Sequence, residues 1–174
     1  ACPCKKIISP AMNHNMFHNP IVQDNIERLR RFGYEIVEPD RGMLANGDIG
    51  DGRMPDEKVL LEYILKEIEF KKDLKGKKVL VTSGATREAI DPVRYITNHS
   101  TGKMGNAIAQ NAMRRGADVT LVAAHMEAEP PMFVKTIRVV SAEDMFKVVA
   151  KIADNFDIIM KVAAVSDYTP VNVS

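Results

Sequence analysis

Lys78-Val-Leu-Val-Thr-Ser-Gly-Ala-Thr-Arg-Glu-Ala-Ile-Asp-Pro-Val-Arg-Tyr-Ile-Thr-Asn-His-Ser-Thr-Gly-Lys-Met-Gly105 is the stretch on which the fold turns. It opens as a short apolar strand, Val79 to Val81, and breaks at Thr82-Ser83-Gly84. About twenty residues pass before Met104 to Met113 reads as a helix. Strand-to-helix connections in α/β units usually take ~2–6 residues, so a loop this long is either functional or disordered. Ile90, Val93, Tyr95 and Ile96 are expected to anchor it.

Downstream the alternation continues: helix 104–115, Gly116, strand 118–123, a loop over 124–131 and a strand near 137–140. Ser141 is placed to cap a helix running through Asp154, with acidic Glu143 and Asp144 in its first turn, and a last strand spans 157–165. This pattern predicts a parallel, doubly wound α/β sheet. With Rossmann-like strand order 3-2-1-4, Ser83-Gly84-Ala85-Thr86 would lie beside Ser166-Asp167 at the switch point. A glycine turn with hydroxyls and free amides can hold phosphates, and a carboxylate opposite can read a base, a sugar or a metal. Asn98 to Lys103, just before the helix, would add amides, hydroxyls and a cation at its positive end. The residues therefore point to a nucleotide site.

Upstream, Lys5 to Ile8 reads as a strand stopped by Pro10, with Asn13, His14 and Asn15 just beyond its carboxyl end. Asn19-Pro20 starts a helix with an apolar stripe of Ile21, Val22, Ile26 and Leu29, Gly33 ends it, and Tyr34 to Val37 completes a β-α-β unit. Glycines 42, 47, 50 and 52 make residues 39–55 unsuited to a helix or strand interior, leaving a flap over a ligand or a plain surface loop. Asp56 to Phe70 is amphipathic, with Val59, Leu60, Tyr63, Ile64 and Ile68 on one face. The polar run Lys71 to Lys78 is expected to be a linker, dividing the chain into 1–70, 71–78 and 79–174.

The 174 residues carry a formal net charge of +1, with 27% charged side chains, which gives no basic footprint for nucleic acid beyond Lys71 to Lys78. No apolar run approaches the ~18 residues of a membrane span, and a cytoplasmic setting is expected. Cys2 and Cys4 are too close together for an easy mutual disulfide. With His14 and His18 they offer the makings of a zinc site, but inert thiols are the expected reading because no second zinc-spaced Cys pair exists.

A nicotinamide cofactor is the rival to a nucleotide substrate. Gly102-Lys-Met-Gly-Asn-Ala-Ile-Ala superficially resembles short-chain dehydrogenases. Yet no Gly-x-Gly-x-x-Gly follows the first strand, the second ends in Val122-Ala-Ala-His, and no Tyr-x-x-x-Lys pair occurs. For Gly102 and Gly105, close helix packing alone is the competing explanation.

Taken together, Val79-Leu-Val-Thr-Ser-Gly-Ala-Thr-Arg-Glu, Asn98-His-Ser-Thr-Gly-Lys-Met-Gly and Ala163-Ala-Val-Ser-Asp-Tyr resemble the phosphopantothenate–cysteine ligase family of coenzyme A biosynthesis. Pro10-Ala-Met-Asn-His-Asn-Met-Phe and Gly42 to Met54 resemble the closing part of a phosphopantothenoylcysteine decarboxylase. The order matches bifunctional bacterial flavoproteins, with the chain spanning the junction of two incomplete domains. The resemblance implies a flavodoxin-like, FMN-binding domain assembling as trimers, then a Rossmann-like ligase domain that dimerises.

In the decarboxylase half, Asn13 matches the motif Asn at the substrate, Met16 shares that motif, and the clamp segment holding Gly47 and Arg53 closes over the substrate phosphopantothenoylcysteine. Asn46 stands where the family clamp carries a proton-donating Cys, and an amide cannot serve as that acid. The domain's amino-terminal part, with its catalytic His and most flavin contacts, lies outside the resemblance. In the ligase half, the resemblance implies activation of 4′-phosphopantothenate by CTP with Mg²⁺, then attack by cysteine on an acyl-cytidylate. Ser83, Gly84, Ala85 and Thr86 match the nucleotide loop and Asp167 the cytidine site. Asn98 matches the Asn that handles the acyl-cytidylate, Ala163 falls in the substrate-binding motif, and 98–103 lies at the dimer interface. The family's Lys-rich stretch has no counterpart in these residues. Metal ligands are not identified. A non-catalytic nucleotide- or flavin-binding homologue is the alternative, ahead of an NAD(P)-dependent oxidoreductase.

Overall fold

A computed structural model describes residues 3–171. The chain divides into two compact units, Ala1–Glu69 and Phe70–Ser174.

In the first unit, β1 (Ile7–Ile8) is followed by α1 (His14–Phe17) and α2 (Pro20–Arg31), and β2 (Glu35–Ile36) returns parallel to β1. The Asn19 side chain accepts from the Ile21 amide, and Pro20 opens α2, as its fixed φ favours. Arg28, Arg30 and Arg31 occupy the last turn, where the helix dipole favours cations, and Gly33 ends the helix at φ 82°. Phe17, Ile26 and Ile36 form the core with Ile8, Val22 and Leu29, whereas Ile21 stands exposed.

The glycine-rich segment is a hairpin: β3 (Asp40–Met43) pairs antiparallel with β4 (Ile49–Arg53). The expectation that four glycines bar a strand here fails, because β4 runs where side chains do not fit. A Cβ on Gly50 would lie 2.8 Å from the His14 ring, and one on Gly52 would strike the Met12 carbonyl oxygen. Asp56 then caps α3 (Glu57–Ile68) by accepting from the Lys58 amide. No residue of α3 is fully buried: Val59, Leu60 and Tyr63 are half-covered, while Ile64 and Ile68 are exposed.

The second unit begins before its first strand. The segment 71–78, expected as a linker, is folded into this unit: Leu74 packs on its core and donates its amide to the Arg115 carbonyl. The Arg115 guanidinium grips Asp73 through two bonds of 2.8 and 2.6 Å. From there run β5 (Lys78–Ser83), β6 (Arg87–Ala89), β7 (Tyr95–Thr97), α4 (Lys103–Arg114) and β8 (Asp118–Ala123). β9 (Lys135–Arg138), α5 (Ala142–Ile152), a 3₁₀ turn (Ala153–Asn155) and β10 (Ile158–Lys161) complete it.

β10-β5-β8-β9 form one parallel sheet, the 3-2-1-4 order expected of a doubly wound α/β fold. The period of two along β5 explains the burial. Val79 and Val81 face α4 with Ala109, Ala112 and Met113, while Leu80 faces α5 with Met145 and Val149. Helices on both faces require apolar residues at both alternations. Fully burying Leu80 contributes about 1.5–3 kcal/mol.

The expected long loop holds the antiparallel hairpin β6–β7. Of its expected apolar anchors only Ile90 is half-buried, since Val93 is 85% exposed and Tyr95 and Ile96 are also open. Polar contacts hold it: buried Glu88 accepts from the Ala142 amide at the start of α5, and Arg87 lies over the Tyr95 ring. Among the described residues, no helix is long and apolar enough to cross a membrane.

Candidate functional site

Each unit carries a candidate site of its own. In the first, Asn13, Asn46 and Arg53 line a cavity of about 410 Å³ together with Met12, Leu44 and Met54. Asn13 sits beyond the carboxyl end of β1, where its Oδ1 accepts from the Asn15 amide and starts α1. Asn46 lies in the hairpin turn, and its Nδ2 donates to Asp48 at 2.6 Å. Gly47, at φ 86°, makes that turn possible and is not among the lining residues. The Arg53 side chain crosses Gly42, where a Cβ would lie 3.0 Å from Arg53 Cδ. Met16 is exposed and stands outside the lining.

The hairpin is fastened over this edge by three bonds: the Met12 amide to the Gly52 carbonyl (2.9 Å), the Asp51 amide to His14 Nδ1 (3.1 Å), and His18 Nε2 to Asp51 Oδ2 (2.9 Å). The His18 bond is the chief cause holding the Asp51 carboxyl below its usual range. Ser9, at the end of β1, has a buried hydroxyl with no partner.

In the second unit the expected juxtaposition is present. The Thr86 amide donates to the Ala164 carbonyl at 3.2 Å, the Ala164 amide to the Gly84 carbonyl at 2.8 Å, and the Ser166 amide to Thr86 Oγ1 at 2.9 Å. Asn98 joins them, its Nδ2 donating to the Val165 carbonyl at 3.2 Å and to that of Ala164 at 3.4 Å. Asp167 is exposed beside them in sequence, and Ala163 lines a recess of about 240 Å³ with Thr82, Met145, Phe146 and Lys161.

Ser83 to Thr86 are all buried, and several of their polar groups already have partners at the strand ends. Ser83 Oγ donates to the Gly102 carbonyl at 3.0 Å, and the Ala85 amide donates to that of His125 at 2.9 Å. Gly84, at φ 83°, passes against the His125 carbonyl where a Cβ would clash. These residues shape the site from beneath.

The start of α4 is open instead. Its N-cap is Gly102 at φ 74°, with no side chain bonded to the first-turn amides, and Lys103 is exposed there. Such an end attracts anions. Gly105 permits it, since a Cβ there would strike Ser83, so close packing accounts for that glycine. The expected strand 157–165 leaves the sheet after Lys161, because the Val162 and Ala163 amides turn to Thr82 Oγ1.

Sequence reasoning missed Asp51 as the hairpin's fastening group, Glu88 as the loop anchor and Asn106. Buried Asn106 donates to the Glu129 carbonyl at 3.0 Å, while its Oδ1 has no partner. No local pattern marks these residues, because their partners lie 23–54 residues away.

These features define an α/β protein with a ligand edge at the carboxyl ends of parallel strands and a hairpin-covered cavity in a separate unit. Residues 1–69 match the family model described as Flavoprotein, and 74–174 match that of the DNA/pantothenate metabolism flavoprotein C-terminal domain. The chain belongs to the DNA/pantothenate metabolism flavoprotein family.

The coenzyme A biosynthesis bifunctional protein CoaBC of Vibrio vulnificus is 47% identical over 167 residues, covering 96% of this chain and 41% of that protein. CoaBC of Bacillus subtilis is 43% identical over 169 residues, covering 95% of this chain and 42% of that protein. The chain thus spans about two fifths of the length of the curated relatives it matches. Among solved structures, the C-terminal domain of a CoaBC protein aligns with a TM-score of 0.55 at 50% identity, over 57% of this chain and 50% of that one. The DNA/pantothenate metabolism flavoprotein from Streptococcus pneumoniae aligns with a TM-score of 0.51 at 37% identity, over 55% of this chain and 43% of that one.

Proposed function

We propose that this chain forms the junction of a bifunctional enzyme of coenzyme A biosynthesis. Its second unit contributes to CTP-dependent joining of 4′-phosphopantothenate to cysteine; its first contributes to FMN-dependent decarboxylation of phosphopantothenoylcysteine. The observation that carries the ligase reading is the Asn98 amide clasped to the Ala164 and Val165 carbonyls beside Thr86, at the crossover between β5 and β10.

Activating a carboxylate as a mixed anhydride needs the nucleotide held still while charge builds on its phosphates. In this reading the uncapped start of α4 and Lys103 receive that negative charge, and exposed Asp167 meets the cytidine. Asn98, fixed at its amide nitrogen, keeps the acyl group in line for the cysteine amine. Mg²⁺ supplies charge neutralisation on the phosphates.

For the first unit, the 410 Å³ cavity is sized for a small ligand, and Asn13 and Arg53 suit its polar groups. FMN supplies two-electron oxidation and reduction there. Asn46 favours a narrower reading of this half, in which the hairpin binds substrate without donating a proton. Dimers of the ligase unit and trimers of the decarboxylase unit complete the proposal, with a cytoplasmic setting.

The test is pyrophosphate release from CTP by the full-length protein supplied with 4′-phosphopantothenate and cysteine. Asn98→Ala and Asp167→Asn should each lower the rate at least tenfold, with circular dichroism unchanged. A protein that neither binds CTP nor releases pyrophosphate refutes the reading. CTP binding without release favours the non-catalytic homologue, and NADPH binding in place of CTP favours the oxidoreductase.

A further inference from the structure

We propose that His14, His18 and Asp51 form a binding site for a divalent transition metal of the zinc type, and that the bound ion locks the β3–β4 hairpin onto the segment that carries Asn13. The proposal is independent of the ligase and decarboxylase readings. One donor atom from each of the three residues lies within 4.8 Å of the other two. Asp51 Oδ2 is 2.9 Å from His18 Nε2 and 3.9 Å from His14 Nδ1. Tetrahedral zinc, with ligand bonds of about 2.0–2.2 Å, wants donors roughly 3.3–3.5 Å apart, so modest side-chain rotations bring all three onto one ion.

The fold prepares this convergence from both sides. Asn13 caps α1 and sets its helical turn, which places His14 and His18, four apart, on one face. Their rings meet edge-on with centroids 4.4 Å apart. From the other side, Gly50 lets β4 approach the His14 ring where any Cβ would intrude at 2.8 Å. The Asp51 amide then donates to His14 Nδ1 at 3.1 Å, so that nitrogen carries a lone pair directed at the hairpin. A metal would take this lone pair as a coordination bond in place of the hydrogen bond, and the displaced Asp51 amide, on a part-exposed residue, would turn to water.

Two imidazoles and one carboxylate suit zinc, cobalt, nickel or copper rather than magnesium, which prefers oxygen. His18 is half-exposed, which leaves a fourth position open to water. Without a metal, the side chains of His18 and Asp51 are joined by one exposed contact, and contacts of that kind contribute little to stability. A metal would tie together residues 33 and 37 positions apart, so its effect would fall on the hairpin and its cavity. The exposed thiol of Cys4 is not among the converging donors, and Cys2 lies outside the described residues.

The test is titration of the chelator-stripped chain with Zn²⁺ by calorimetry and with Co²⁺ by visible absorption. One equivalent should bind, and Co²⁺ should give a tetrahedral spectrum without a thiolate charge-transfer band. His18→Ala and Asp51→Asn, both at open positions, should each weaken binding at least about tenfold. The Cys2→Ser/Cys4→Ser double variant should bind as the parent does. Zinc should slow amide exchange over residues 40–53 in the parent and not in His18→Ala. No saturable binding, binding unaffected by His18→Ala and Asp51→Asn, or binding lost in the cysteine variant would each overturn the proposal.

Discussion

The two units hold their candidate sites in opposite ways. In the second, the residues under the site are core: Ser83 to Thr86 are buried at the end of a strand flanked by β8 and β10 and covered by α4 and α5. In the first, Asn13, Asn46 and Arg53 surround an open cavity roofed by a glycine-rich hairpin, beside a sheet of two strands. Geometry at the second site should therefore survive as long as the unit does. At the first it depends on a few bonds that can open locally.

The strongest way to break this contrast is Leu80→Ala. It should cost about 2–5 kcal/mol and speed amide exchange throughout β5 and β8, while β1 and β2 keep their rates. Equal acceleration in both units would show that the contrast is wrong. Gly52→Ala should do the reverse. At φ 130°, with the Met12 carbonyl in the way, it should cost about 1–3 kcal/mol, read as faster exchange at the Met12 amide and along β3–β4, with the thermal transition of the second unit unmoved.

Smaller still, Ser141→Ala removes a reciprocal cap in which Ser141 and Asp144 each accept from the other's amide, and should cost about 1 kcal/mol in urea unfolding. Acid provides the gentlest probe. The Asp144 carboxyl is held low by the Ser141 amide, Asp157 by that of Lys78, and Asp91 by those of Arg94 and Val93. Native carboxyls below their unfolded value of about 3.9 stabilise the fold above that pH, and the gain is lost as pH falls through the lowered native values. The second unit's urea midpoint should drop across that window, and Asp144→Asn, which removes a titrating carboxyl, should flatten the drop.

Much of the second unit was legible because its signals are local or periodic. Alternating Val79, Leu80 and Val81 specify a strand covered on both faces, and Ser141 and Asp144 specify a helix start; the 3-2-1-4 order was assumed by analogy with a Rossmann-like winding, and the sheet has it. The hairpin β3–β4 was not legible, since glycine count argues against strands unless the neighbour that excludes a side chain is known. For Ser83 to Thr86, hydrogen-bond partners could not be read from the sequence, as His125 and Ala164 come from distant strand ends.

The sequence by itself therefore determined the α/β class and where the second unit's strands and helices begin, because period, caps and turns are written within a few residues. Tertiary structure alone decided which polar groups at the ligand edges are already taken. Asn98 is spent on two carbonyls, Thr86 on a neighbouring amide, and Asp51 on two histidines more than thirty positions away. A hydrogen bond depends on tenths of an ångström between atoms that the chain brings together only by folding.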